Sequence, residues 1–202
     1  IDALAQAKAH GKLQKILVTG CMAQWWKDEI QARCPQADGF VGVSGYEDIA
    51  QVIAQALEDQ HPAHFGDIDA PVPETDRVVC TSDYWAWLRI AEGCDNRCAY
   101  CIIPFIRGKF RSRPEEAILA EAQDLAQAGM QELIVVAQDI TRYGLDLYGE
   151  RTLAKLLPKL CAIEGIHWVR LHYLYPDEIT DELIDVIANE PKIVKYLDIP
   201  IQ

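Results

Sequence analysis

The chain has 202 residues, of which 50% are hydrophobic, and it carries a formal net charge of −12. A chain of this length and apolar content can bury a real core, which excludes a disordered or collagen-like protein. No window approaches the roughly 18 consecutive apolar residues of a membrane-spanning helix. The acidic balance also disfavours a nucleic acid as the direct partner, because phosphate backbones are bound by clustered Lys and Arg.

The first elements alternate between strand and helix. Residues 15–19 predict a buried strand, residues 22–33 a helix, residues 39–43 a second strand, and residues 46–58 an amphipathic helix. This alternation predicts a small α/β unit with a parallel sheet. Residues 59–83 contain three prolines, two histidines and many acidic residues without periodicity, and we interpret them as a linker.

The alternation resumes at Tyr84 and continues to the end of the chain. Four strands are predicted, at 84–91, 132–137, 167–174 and 195–201, with helices at about 115–128, 152–163 and 179–189. Pro114 and Gly129 stand where helix starts and helix C-terminal caps favour them. A βα series of this kind forms either a doubly wound sheet or part of a barrel.

Cysteine usage points to a reducing compartment. Seven cysteines in a chain that does not resemble a small secreted scaffold favour reduced thiols, some of them metal ligands. The chain begins with Ile1 instead of Met, so we expect it to be a fragment. It shows no basic and apolar leader of a secretion signal, so we expect a cytoplasmic protein.

Three of the cysteines carry the strongest chemical signal. Cys94, Cys98 and Cys101 have the spacing C-x3-C-x2-C at the end of the first strand of the βα series. Thiolates are the preferred protein ligands of iron–sulfur clusters. Three ligands leave one iron of a four-iron cluster without a protein ligand, and an open iron is what a cluster needs to bind a small molecule.

Two other uses of these cysteines stay open. A structural zinc ion takes four ligands, and the fourth would be remote, at His61 or His64. An electron-transfer cluster would recruit a fourth cysteine, for which Cys80 is the nearest candidate. Otherwise we interpret Cys34, Cys80 and Cys161 as packing residues.

Longer stretches around this spacing resemble a known family. The pattern C-x3-C-x-aromatic-C, with Tyr100 as the aromatic residue, resembles the signature of the radical S-adenosylmethionine (SAM) superfamily. Within that superfamily the chain resembles the methylthiotransferases, over residues 20–24, 91–104, 107–108, 112–114, 138–139 and 143–144. The resemblance therefore covers essentially the whole chain.

The resemblance implies a fold and a set of metal ligands. Residues 84–202 would form a partial radical SAM core barrel with four of its strands, the remaining strands lying beyond Gln202. Residues 1–58 would form the C-terminal part of the methylthiotransferase N-terminal domain. Cys94, Cys98 and Cys101 would hold the [4Fe–4S] cluster that binds SAM. Cys21 would hold a second [4Fe–4S] cluster, whose other two ligands would precede the chain.

Five residues are candidates for binding the cofactor, and none beyond the cluster ligands is a candidate for catalysis. By resemblance, Tyr100 would lie beside the adenine. Arg107 and Arg113 would offset the negative charge of thiolates and carboxylates, which matters most where water is excluded. Gln138 and Asp139 follow the second strand of the βα series, where a barrel places ligand contacts. For these two, a turn-stabilising role stays open.

The resemblance also implies a substrate. Residues 138–148, 173–177 and 195–202 are similar to the methylthiotransferase branch that modifies a ribosomal protein. The expected activity adds a methylthio group to the β-carbon of an aspartate in small-subunit ribosomal protein uS12, with an electron donor as a further partner. Residues 46–76 carry eight acidic side chains and no Lys or Arg, which favours such a basic partner. A transfer-RNA methylthiotransferase acting on a modified adenosine and a non-catalytic zinc or iron–sulfur module stay as alternatives.

Overall fold

A computed structural model describes residues 1–74, 77–80 and 82–200. These residues belong to two compact units. The first comprises Ile1–Pro73 and Arg97–Lys109, and the second comprises Glu74–Asn96 and Phe110–Gln202. Residues 59–73 of the predicted linker are thus part of the first unit, and Thr75, Asp76 and Thr81 of that linker lie outside the described residues.

The first unit is built around a sheet of three parallel strands in the order β1-β2-β3. The strands are β1 (Leu17–Thr19), β2 (Gly39–Val41) and β3 (Ala63–His64). The helices are α1 (Asp2–Ala9), α2 (Cys21–Trp25), α3 (Ile30–Arg33), α4 (Ile49–Leu57) and α5 (Ile103–Arg107), and a 3-10 helix at Tyr46–Asp48 precedes α4. The predicted parallel sheet and the predicted helix at 46–58 are confirmed.

Two segments of the first unit differ from the sequence-based expectation. The helix predicted at 22–33 is interrupted by a turn between α2 and α3, and Ile30, which is 1% exposed, begins α3 in the core. Asp28 and Glu29 stand just before α3, where acidic residues stabilise a new helix N-terminus. The predicted linker contributes β3, because the amide groups of Phe40 and Gly42 at β2 find their acceptors there. A two-residue strand has no periodicity that a sequence could reveal.

The second unit contains a four-stranded parallel sheet in the order β4-β7-β8-β9. Its strands are β4 (Trp85–Arg89), β7 (Glu132–Val136), β8 (Trp168–Leu171) and β9 (Ile193–Leu197), and β5 (Ala91–Glu92) pairs antiparallel with β6 (Arg111–Ser112). The helices are α6 (Glu115–Gln127), α7 (Leu145–Tyr148), α8 (Leu153–Cys161) and α9 (Asp181–Asn189). The four strands and three long helices confirm the predicted α/β series. The last strand begins and ends earlier than predicted, at Ile193–Leu197 instead of 195–201, and Ile201 lies outside the described residues.

One face of this sheet forms the core of the second unit. Side chains alternate along each strand, so that Leu88 on β4, Val135 on β7 and Leu171 on β8 are all fully buried. Leu156 and Leu160 of α8 belong to the same hydrophobic cluster. Within the described ranges, no helix has the length and apolar character needed to cross a membrane.

Candidate iron–sulfur and cofactor site

The three predicted cluster ligands lie in a loop that follows β5. Gly93 adopts a φ of +81°, in the left-handed region that favours glycine, and Cys94 after it is only 8% exposed. Cys98 and Cys101 are half-buried, and the amide of Cys101 donates a hydrogen bond of 2.9 Å to the carbonyl oxygen of Cys98. None of the three cysteines forms a disulfide within the described residues.

The donor set fits an iron–sulfur cluster by its chemistry. Three thiols in one short loop are the ligands that iron–sulfur clusters use. Within the described part of the chain, no three His, Cys, Asp or Glu side chains are grouped so that they could hold a metal ion. His64, one alternative zinc ligand, has its Nε2 atom 2.9 Å from Oδ2 of Asp48. The assignment of the ligands stays a prediction.

The other cysteines have different environments. Cys161 is 4% exposed in the core of the second unit, and burial raises the pKa of its thiol to about 12, so the prediction that it packs is confirmed. Cys34 packs against the core of the first unit, also as predicted. Cys80 is exposed, so its interpretation as a packing residue is wrong. It lies in a segment without helix or strand, where no neighbouring element covers it.

The carboxylate of Asp139, a predicted cofactor contact, accepts hydrogen bonds from other residues of the chain. The residue is 2% exposed, and its Oδ1 atom accepts hydrogen bonds from the amide, at 3.0 Å, and the hydroxyl of Thr141. This contact caps the 3-10 helix Ile140–Arg142. The other oxygen, Oδ2, accepts a hydrogen bond of 2.9 Å from Nδ2 of Asn96. These contacts match the turn-stabilising role that the sequence left open, and a cofactor contact stays a prediction.

Asn96 is the site residue that sequence reasoning missed. It stands between Cys94 and Cys98, and its Oδ1 atom accepts a hydrogen bond of 3.2 Å from Nη1 of Arg142. The side-chain amide therefore has one partner on each side, Asp139 and Arg142. Its position inside the cysteine spacing was the signal that could have drawn attention to it.

Arg107 and Cys21 are two predicted site residues that the first unit brings together. Cys21 is the first residue of α2, and Arg107 is the last residue of α5. Nη2 of Arg107 donates a hydrogen bond to Sγ of Cys21 at 3.3 Å. Gly108 makes this placement of α5 feasible, because a Cβ atom there would lie 2.4 Å from the carbonyl oxygen of Ile68.

Arg113, another predicted cofactor ligand, is 6% exposed and bound on several sides. Its guanidinium donates hydrogen bonds to Glu74, to Oε2 of Glu121 at 2.6 Å, and to the carbonyl oxygen of Arg89 at 2.6 Å. Burial acts to lower its pKa, but the hydrogen bonds to Glu74 and Glu121 outweigh burial and raise the pKa of Arg113 above its ordinary value. These contacts make Arg113 part of the packing of the second unit, and a cofactor contact stays a prediction.

Tyr100 and Gln138 differ in exposure. Tyr100 is 71% exposed. Gln138 is half-buried after β7, and its Oε1 atom has no hydrogen-bond partner among the described residues. A buried acceptor without a partner is uncommon and is often found where a ligand or water binds. Both residues remain predicted cofactor contacts.

Several residues that carry the family resemblance bind one another. The Ser112 hydroxyl donates a 2.6 Å hydrogen bond to Oδ1 of Asp146 and accepts one of 2.9 Å from the amide of Gly144. The buried hydroxyl of Tyr143 donates to the carbonyl oxygen of Arg113 at 3.1 Å, and burial raises its pKa above the ordinary value. These motif residues therefore join the segment at β6 to the segment at α7.

Together these features define an α/β protein with two parallel sheets and a loop that carries three cysteines, the residue type that binds iron–sulfur clusters. The family model of the radical SAM superfamily matches residues 88–202, and the chain belongs to that superfamily. Membership confirms the predicted partial radical SAM core and the predicted cofactor class, a [4Fe–4S] cluster with SAM.

The chain is also similar to curated proteins. It is 49% identical over 200 residues to the ribosomal protein uS12 methylthiotransferase RimO of Lachnoclostridium phytofermentans, covering 98% of this chain and 46% of that protein. It is 48% identical over 201 residues to the protein of the same name from Desulforamulus reducens, covering 98% of this chain and 45% of that protein. The chain thus spans about half the length of the curated relatives it matches.

One solved structure resembles part of the fold. It is that of the radical S-adenosylmethionine methyltransferase TsrM from Kitasatospora setae, with a TM-score of 0.46 and 16% sequence identity. The similarity covers 57% of this chain and 22% of that one.

Proposed function

We propose that the chain is part of a cytoplasmic transferase that adds a methylthio group to the β-carbon of an aspartate in ribosomal protein uS12. The observation that carries this proposal is the 49% identity, over 98% of the chain, to a relative named for that activity. Residues 1–58 would be part of the family's N-terminal domain, and residues 84–202 part of its core barrel.

The proposed cofactor is held by the cysteine loop. Cys94, Cys98 and Cys101 supply three sulfur ligands, and their placement within eight consecutive residues, with none of them in a disulfide, supports this role. When bound, the cluster and SAM supply the one-electron chemistry that activates a carbon–hydrogen bond. The chain's own residues bind, orient and neutralise charge around that chemistry.

The second proposed cluster involves Cys21. The hydrogen bond that Arg107 donates to its sulfur at 3.3 Å supports this role, because a cation beside the sulfur would stabilise the negative charge of a bound cluster. Arg107 therefore acts, in this proposal, by offsetting charge beside Cys21 and not by contacting SAM.

The proposed substrate is a basic protein. Glu47, Glu58, Asp67 and Asp69 are exposed acidic residues of the first unit, whereas the exposed Asp59 pairs with Lys15. A surface of this sign attracts a basic ribosomal protein and repels a nucleic acid. This favours the protein substrate over the alternative, a transfer RNA.

The experiment uses the full-length enzyme, reconstituted with iron and sulfide without oxygen. Wild-type enzyme should turn brown, cleave SAM under a reductant, and add a methylthio mass to an aspartate of uS12 in the presence of the small ribosomal subunit. Modification of transfer RNA alone would contradict the proposed substrate, and a colourless zinc-containing product would contradict the proposed cofactor.

A matched pair of cysteine variants tests the ligands. Cys101→Ala should abolish SAM cleavage, because the loop loses one of its three sulfur ligands. Cys80→Ala removes an exposed thiol outside the cysteine loop and should leave both iron content and SAM cleavage unchanged. Cleavage retained by Cys101→Ala would show that this residue is not a ligand.

A further inference from the structure

We propose that Asn96 is a positioning residue that fixes the cysteine loop to the carboxyl end of β7. It does so by a hydrogen bond to Asp139 and a second one from Arg142. The inference deepens the proposed function, because the importance of the loop rests on the cluster that it is proposed to hold. The hydrogen-bonding role of Asn96 itself rests only on contacts within the second unit.

The side-chain nitrogen and oxygen of Asn96 each have a hydrogen-bond partner, and only one orientation of the amide satisfies both. Its Nδ2 atom donates to Oδ2 of Asp139 at 2.9 Å, and its Oδ1 atom accepts from Nη1 of Arg142 at 3.2 Å. Rotating the amide by 180° would place a donor against the Arg142 guanidinium and an acceptor against the Asp139 carboxylate. Each partner is ionisable, and hydrogen bonds to charged groups are stronger than neutral ones.

The two partners of Asn96 are themselves fixed. Asp139 is 2% exposed and holds its other oxygen against Thr141. Nη1 of Arg142 lies 3.7 Å from Oε1 of Glu178. Because anchors of this kind move little, a hydrogen bond to them restrains the residue that makes it.

The backbone next to Asn96 needs such a restraint. Arg97 has a φ of +50°, in the left-handed region that a residue with a side chain rarely adopts. A conformation of this kind persists only when surrounding contacts determine it. Asn96 provides those contacts one residue before Arg97 and two residues before Cys98.

An isosteric exchange of the pair tests the proposal. In Asn96→Asp, a carboxylate faces the Asp139 carboxylate, and in Asp139→Asn, a donor faces the Asn96 donor. The double variant, N96D with D139N, restores one donor and one acceptor and leaves the net charge unchanged. It also leaves an acceptor for Arg142. Rescue by the double variant therefore isolates this hydrogen bond from a general loss of packing.

The measurement is deuterium uptake by residues 93–99 in the full-length protein, together with the rate at which a chelator removes iron. We expect each single variant to lose protection by about tenfold, the effect of one charge-assisted hydrogen bond, and the double variant to recover it. Iron release should accelerate and recover in the same order. Asp95→Ala is the control, because Asp95 is exposed in the same loop and makes no side-chain hydrogen bond within the described residues.

Unchanged uptake in both single variants, or a double variant as unprotected as the singles, would overturn the proposal. Uptake is read whether or not the protein carries iron. A protein that binds no iron would thus contradict the proposed function, while the exchange data would still decide the role of Asn96.

Discussion

The guanidinium of Arg107 donates a hydrogen bond to the sulfur of Cys21 at 3.3 Å, across 86 positions of sequence. The two residues end one helix and begin another, so their side chains meet where α5 and α2 pack together. Sequence motifs assigned them to different cofactors. Their contact in the first unit indicates that a positive charge is held against the ligand proposed for the second cluster.

Replacing Arg107 by Gln should lower the reduction potential of the second cluster, for which Cys21 is the proposed ligand. In the wild type, the positive charge and the hydrogen bond to the ligand sulfur both stabilise the reduced cluster. The variant removes the charge and weakens the hydrogen bond, so the reduced state becomes less favourable. A shift of about 60 mV, a tenfold change for one electron, is the expected size. The measurement is a potentiometric titration of the full-length enzyme followed by electron paramagnetic resonance.

Arg33→Gln is the matched control for this experiment. Arg33 belongs to the same unit but pairs with Glu29 and stacks on Trp26, so its loss should leave the potential unchanged. Equal shifts in the two variants would mean that the contact with Cys21 has no specific effect.

Replacing Arg113 by Met should destabilise the second unit. Removing Arg113 leaves Glu74 without its cation and the carbonyl oxygen of Arg89 without its donor, whereas Glu121 keeps Arg77 at 3.0 Å. We expect a loss of about 3 kcal/mol, because hydrogen bonds to charged groups are worth about 1.5–3 kcal/mol each. Chemical denaturation measures this loss. Arg89→Met is the comparison, because the Arg89 side chain is 44% exposed and its pair with Glu92 should be worth less than about 1 kcal/mol. Similar losses in both variants would contradict the buried role of Arg113.

The stability of the first unit should fall in acid because of Asp38. Burial of Asp38 opposes its ionisation, but hydrogen bonds from Nζ of Lys8, at 2.6 Å, and from the amide of Ile16, at 2.8 Å, hold the pKa of Asp38 below its ordinary value. Since the folded-state pKa is the lower one, this stabilisation is present above about pH 4 and is lost as the pH falls through the folded-state value.

The test compares urea unfolding of the wild type and of Asp38→Asn between neutral and acid pH. The variant should be less stable at neutral pH and should show a shallower loss in acid. Glu47→Gln changes an exposed carboxylate and should keep the wild-type pH dependence. A wild-type slope in Asp38→Asn would assign the acid sensitivity to other groups.

Gly144→Ala should destabilise the second unit more than Gly149→Ala does. Both glycines have left-handed backbones, with φ of +90° and +78°, so each alanine costs about 1 kcal/mol of backbone strain. At Gly144 a Cβ atom would also lie 2.1 Å from Oγ1 of Thr152, whereas nothing lies within 4 Å at Gly149. The added clash should contribute about 1–3 kcal/mol, measured as the difference between the two midpoints of thermal unfolding converted to free energy. Equal losses would show that Thr152 moves aside.

Most elements of the fold could be predicted from local sequence patterns. The elements that were not predicted were missed for physical reasons. The strands and long helices of the second unit were predicted because short apolar runs alternate with segments of helical spacing, and Leu88, Leu133 and Val169 of those runs are fully buried. The antiparallel pair β5 and β6 was not predicted, since each strand has two residues and no period. The same holds for β3, which exists because β2 requires a partner.

The sequence by itself determined the class of this protein. The spacing of Cys94, Cys98 and Cys101 predicts that their sulfur atoms bind a metal cluster. The alternation of strands and helices predicts the α/β fold of the chain around them. Both predictions depend on patterns within short stretches of sequence, so they need no knowledge of the tertiary structure. The match to the superfamily agrees with them.

Only the tertiary structure decided which partner each polar side chain has. Asn96 and Asp139 are 43 positions apart, Arg113 and Glu74 are 39 apart, and each pair forms because folding places two distant segments within hydrogen-bond distance. Composition and periodicity carry no information on such contacts, since a hydrogen bond depends on the position of atoms to within a fraction of an ångström. The same long-range geometry makes Asp139 the proposed anchor of the cysteine loop, while its predicted contact with the cofactor stays a prediction.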